Sequence, residues 1–124
     1  MLDSNLIIYA ALPEYPGLRR LIEAQSPAVS TISIVEVLGY HKLSDEDRIH
    51  FEAFFGAATV LPLSDAVVTR AVSLRQSRKT SLGDSLVAAT ALVHGRKLMT
   101  HNTKDFANVP GLVVVDPIAN GDPP

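Results

Sequence analysis

The sequence predicts an α/β domain in three layers, a central parallel β-sheet of about five strands flanked by helices. Three observations predict it. Short apolar runs alternate along the chain with amphipathic helical stretches. The apolar runs carry no polar side, so they suit strands covered on both faces. Finally, 124 residues with 47% apolar content, no internal repeat and no linker allow one domain with a sizeable core.

Met1-Leu2-Asp3 reads as the end of a first strand, running directly into a helix-like stretch from Asn5 to Ala11. If that strand is central, a few upstream residues are expected to be missing. Pro13 and Pro16 mark the next break, and Leu18, Leu21 and Ile22 give a second helix its apolar stripe before Gln25-Ser26-Pro27 ends it. Ala28 to Thr31 is the second strand. Ser33 then starts a helix with Glu36 three residues on, closed by Gly39, and Ser44 with Asp47 repeats the start signal for a helix with Ile49, Phe51, Phe54 and Phe55 on one side. Thr59 to Leu63 is the third strand, and Ser64-Asp65 opens a helix through about Ser77 with Val67, Val68, Ala71 and Leu74 inward.

The run from Thr80 to Phe106 has the clearest signals. Ser81 can cap a helix from Leu82 to His94 whose small residues Ala88-Ala89-Thr90-Ala91 allow close packing on a sheet. Gly95 ends it, Lys97 to Thr100 is the fourth strand, and Asn102 to Val109 a short loop or turn. Leu112 to Val115 is the last strand. Residues 1–118 thus form the domain, and 119–124 are expected to be a frayed tail.

Composition excludes several function classes. A net charge of −2 rules out a nucleic-acid binder that works through overall charge, although a local basic patch stays open. Arg70, Arg75, Arg78, Lys79, Arg96, Lys97 and Lys104 crowd the later segment, which alone reads as solvated helix faces. Without cysteine there are no disulfides, thiol catalysis or thiolate zinc sites. No apolar run reaches membrane-spanning length and no signal peptide is visible, so a cytoplasmic location is expected.

In a parallel α/β sheet, ligands collect beyond the carboxyl ends of the strands. Asp3, Glu36, Asp84 and Asp105 all fall there. Each has a bland reading: Ser33-x-x-Glu36 and Ser81-x-x-Asp84 fit capping boxes, Asp3 can cap the following helix, and Asp105 can form a turn. Gathered on one rim, however, four carboxylates repel one another unless a cation lies among them. With no cysteine and four scattered histidines, the donors suit a hard ion, Mg²⁺ or Mn²⁺, better than zinc. Such a site can activate water and clamp phosphate.

Leu2-Asp3-Ser4-Asn5, Ser33-x-x-Glu36, the run from Asp84 to Ala91, and Thr100-x-Asn102-x-x-Asp105-Phe106 resemble in order and spacing the motifs of PIN-domain nucleases, specifically the VapC-type toxin ribonucleases. The resemblance spans about Met1 to Pro117. It implies a PIN-like fold, with Asp3, Glu36, Asp84 and Asp105 as the catalytic acids. Asp3, Asp84 and Asp105 would hold Mg²⁺ (or Mn²⁺), and Glu36 would be either a ligand or the base that positions water. Asn5 would orient Asp3, and Thr100 would bond a carboxylate or the attacking water. Asn102 stands where some relatives have an acid, which leaves the number of metals between one and two. Arg78, Lys79, His101 and Lys104 are candidates for RNA contact. The resemblance further implies an RNA substrate, a VapB-like antitoxin bound in a groove lined from Leu18, Leu21, Ile22, Phe51, Phe54 and Phe55, and a homodimer. The rival readings are a housekeeping PIN nuclease, a non-catalytic PIN-fold binding module, and a phosphoacceptor receiver domain. The receiver is disfavoured because Val60-Leu61-Pro62-Leu63 lacks the required acid.

Overall fold

A computed structural model describes residues 1–124. Its elements run in the order α1 (Ser4–Ala10), α2 (Pro16–Gln25), β1 (Val29–Ser30), α3 (Thr31–Leu38), α4 (Asp45–Ala57), β2 (Val60–Leu61), α5 (Asp65–Ser77), α6 (Leu82–Val93), β3 (Leu98–Met99), a 3₁₀ turn (Thr103–Phe106) and β4 (Val114–Val115). All strand pairing is parallel. β2 pairs with β1 and β3 with β4, and Leu2 bridges the two ladders through Val29 and Met99. The spatial order is therefore β2, β1, the Met1–Asp3 segment, β3, β4.

The five expected strand positions are all present, each shorter than the apolar run that announced it. The centre is secured by backbone bonds: the Leu2 N–H donates to Ala28 at 2.8 Å, the Asp3 N–H to Met99 at 2.9 Å, and the Met99 N–H to Met1 at 2.8 Å. Chain order reverses between the Met1–Asp3 segment and β3, so the crevice beside Asp3 is the topological switch point.

Alternation of side chains divides the core into two layers. Met1, Ala28 and Leu98 join Val67, Ala71 and Leu74 of α5 and Val87, Ala88 and Ala91 of α6. Their sequence neighbours Leu2 and Val29 join Leu6 and Ile7 of α1, Leu18 of α2, Val37 of α3 and Phe51 and Phe55 of α4. Helix α6 ends as its sequence demands. Gly95 takes a positive φ of 63°, its N–H donates to Leu92 and that of Arg96 to Ala91, the paired bonds of a Schellman motif.

Two expectations need correction. Ser33 does not start α3: Ser30 is the cap, its hydroxyl accepting the Ser33 N–H at 3.2 Å, and the helix begins at Thr31. The C-terminal residues bond back to the domain. Ile118 is buried, and the Asp122 carboxylate accepts the Gly17 and Leu18 N–H groups at 2.7 and 2.9 Å, capping α2 where Tyr15 supplies no side-chain cap. Gly17 is needed there, since a Cβ would lie 1.6 Å from the Pro123 carbonyl oxygen.

Candidate functional site

Asp3 occupies the switch point in two roles. Its backbone still pairs with β3, while its φ and ψ of −75° and 155° make it the N-cap of α1. One carboxylate oxygen accepts the Ser4 N–H at 2.8 Å and the other the Thr100 hydroxyl at 2.7 Å. Thr100 is fully buried, and its own oxygen accepts the Asn102 N–H at 3.1 Å, so the hydroxyl proton is aimed at Asp3. Burial raises the pKa of Asp3. The bonds from Thr100 and Ser4 oppose that rise, and the charges of Glu36 and Asp84 add to it.

Glu36 reaches the same place from α3. The Ser4 hydroxyl donates to its Oε1 at 2.8 Å. On the other side a Cβ at Gly83 would stand 3.0 Å from its Oε2, so a side chain on residue 83 in the first turn of α6 would push the Glu36 carboxylate aside by a few tenths of an ångström. Ser81 caps α6 by accepting the Asp84 N–H at 3.1 Å. The Asp84 pKa is raised, first by partial burial and then by Asp105, with Ser81 acting the other way. Asp105 lies exposed in the 3₁₀ turn, its N–H bonded to the Asn102 carbonyl at 3.1 Å.

The four acids thus lie within electrostatic reach of one another in series: Glu36 and Asp84 act on Asp3, and Asp105 on Asp84. None is paired with a cation. The charged contacts of the chain are Arg48 with Asp45 and Glu52, and His101 with Asp116. As the side chains stand, no three acids or histidines are grouped closely enough to hold an ion between them.

Of the supporting residues, Thr100 bonds the Asp3 carboxylate, and Asn5 does not. Asn5 does not orient Asp3: both of its amide atoms are buried without a hydrogen-bond partner, and Ser4 and Thr100 hold the carboxylate instead. His101, expected to meet a base, bonds Asp116 at 2.9 Å and stands edge-on to Tyr9. Lys79, Asn102 and Lys104 are exposed, and the Arg78 Nε is buried and unpaired. Sequence reasoning missed Ser4. It also took Ser33 for a cap, although Ser4, Ser30 and Ser33 are all buried hydroxyls next to the site. Of the three, Ser4 alone reaches an acid, Glu36.

The sequence model of the PIN domain matches residues 1–112. The chain belongs to the PIN-domain family. Among its relatives is Ribonuclease VapC1 of Rickettsia felis, 35% identical over 98 residues that make up 70% of this chain and 73% of the relative. The fold is similar to that in a toxin-antitoxin complex from Klebsiella pneumoniae, at 32% identity and TM-score 0.76 over 94% of this chain and 95% of that one. It is also similar to that in DNA-bound VapBC from Salmonella typhimurium, at 21% identity and TM-score 0.82 over 94% and 96%. A PIN domain with this relationship is a nuclease, and VapC-type PIN nucleases depend on a divalent metal ion. No helix is long and apolar enough to cross a membrane.

Proposed function

We propose that this PIN domain is a divalent-metal-dependent endoribonuclease, the toxin of a VapBC-type toxin-antitoxin pair, with its active site at Asp3, Glu36, Asp84 and Asp105. One observation carries the reading. A buried carboxylate at the switch point has its pKa raised by burial and by two neighbouring acids, and no basic side chain offsets them. A site that concentrates negative charge without a partner fits a cation, and an all-carboxylate donor set fits Mg²⁺ or Mn²⁺.

Asp3, Asp84 and Asp105 are the residues to hold that ion. Asp3 is fixed by Ser4 and Thr100, whereas Asp84 is half-buried and Asp105 exposed, so their side chains can turn toward it. When bound, such an ion lowers the pKa of a coordinated water and offsets the charge that builds on phosphate oxygens. Glu36, held by Ser4, accepts a hydrogen bond from the attacking water and orients it toward phosphorus. Lys79 and Lys104, exposed in the segments next to Asp84 and Asp105, contact phosphates of single-stranded or loop RNA.

The relationship to VapC1 and to the Klebsiella toxin-antitoxin complex supports a VapB-like antitoxin as partner. The largely apolar groove between α1, α2 and α4, lined by Ile7, Ala10, Ile22, Phe51 and Phe54 with Arg19, Glu23 and His50 at its polar side, offers it a surface. Of the other residues expected there, Leu18 and Phe55 are core. A cytoplasmic homodimer completes the reading.

Purified protein should cleave RNA only with Mg²⁺ or Mn²⁺. Asp3→Asn and Asp84→Asn should each lower the rate by at least about 10²-fold while the circular dichroism spectrum is kept. Full activity in either folded variant rejects the site. Expression should arrest growth, relieved by co-expressing the adjacent small reading frame. Normal growth with no such neighbour indicates a housekeeping nuclease.

A further inference from the structure

Glu36 is solvent-exposed and has three rotatable side-chain bonds, so a role in placing water requires something to select one of its conformers. The Ser4 hydroxyl lies 2.8 Å from Glu36 Oε1 and 2.9 Å from Ser33 Oγ, and Ser33 Oγ lies 3.1 Å from Ser30 Oγ. Each hydroxyl has one proton to give. The carboxylate only accepts, so the Ser4 proton goes to Glu36. Ser33 Oγ lies within reach of both the Ser4 and the Ser30 hydroxyls, and the Ser30 oxygen accepts the Ser33 N–H at 3.2 Å. The three hydroxyls and the Glu36 carboxylate form one continuous chain of contacts. The chain ends at Glu36, which only accepts.

A helix cap alone needs only Ser30. Ser33 and Ser4 are surplus to that, and burying a hydroxyl is unfavourable without a partner, so two further hydroxyls at 0% and 8% exposure mark a device rather than filling. We propose that Ser30, Ser33 and Ser4 form a hydroxyl relay that positions Glu36, with Ser4 as its terminal positioning residue and the bare Cα of Gly83 leaving room for the other carboxylate oxygen. This inference rests on the reading of Glu36 as the group that orients water.

The test uses the full chain with Ser4→Ala, Ser33→Ala, the double variant and Gly83→Ala. Two readouts are taken: the ¹³C carboxyl resonance of Glu36 in metal-free protein, and kcat and KM on an RNA oligonucleotide with Mn²⁺. Ser4→Ala should shift the resonance and lower kcat about tenfold with KM little changed. Ser33→Ala should do the same to a smaller degree. Because the relay acts through Ser4, the double variant should be no worse than Ser4→Ala. Gly83→Ala, on a half-buried position, should shift the same resonance without touching the serines, and it serves if Ser33→Ala fails to fold. Additive losses in the double variant, or an unmoved resonance in both Ser4→Ala and Gly83→Ala, overturn the relay. A moved resonance in a protein that cleaves no RNA keeps the relay and rejects the nuclease reading instead.

Discussion

The starts of α3 and α6 carry the same signature, a serine followed three residues later by an acid, and the fold uses them differently. At α6 the spacing means what it says: exposed Ser81 caps the helix through the Asp84 N–H, and the acid sits in the first turn. At α3 an earlier serine takes the cap, so Ser33 moves inside the helix and Glu36 into its second turn, with its carboxylate on Ser4. One motif is thus a surface cap and the other part of a buried network. The difference comes from Ser30, which stands at a strand end with an extended φ and ψ of −90° and 154° and is completely buried.

That contrast can be broken by experiment. Ser30→Ala removes a cap and a buried network member together, and should cost about 2–3 kcal/mol in urea denaturation. Ser81→Ala removes an exposed cap only, and should cost about 1 kcal/mol with the Glu36 carboxyl resonance unchanged. Equal losses would mean that the two helix starts are equivalent after all. The smallest effect expected is on pH dependence. Asp3 and Asp84 have folded pKa values raised above their unfolded ones, so between the two values the folded state holds the extra proton. Stability of the metal-free protein should therefore fall as pH rises through that window and level off above it. In thermal melts across the acid range Asp3→Asn should flatten most of this slope. Asp84→Asn should flatten less, because its carboxylate is less buried. A slope of opposite sign would contradict the description of the rim.

Much of this was legible beforehand because the physics is local. Ser44, Ser64 and Ser81 cap the helices they announce, and Gly95 closes α6. A parallel sheet brings strand ends to one rim, which is where the sequence puts Asp3, Glu36, Asp84 and Asp105. Strand length was overestimated: apolar runs such as Leu112 to Val115 contain only two paired residues, and of the rest Leu112 packs on the core while Val113 is exposed. Ser33 misled because two serines three apart both satisfy the capping rule, and the choice between them depends on where β1 stops. Ser4 is overlooked beside Asn5 for a similar reason. Adjacent helix residues point in different directions, and only the packed fold shows that the Ser4 hydroxyl meets Glu36 while the Asn5 amide is buried without a partner.

The bond from Asp122 back to α2 has a consequence for the order in which the protein is made. Synthesis proceeds from the N-terminus, so Gly17 emerges long before its cap, which lies 105 residues further on. Until then the first turn of α2 has no carboxylate to close it, and Ile22, which lines the apolar groove, sits on an unfinished helix. A nascent chain released early, or cut short of residue 122, would keep every acid of the rim and lack the clasp that fixes α2.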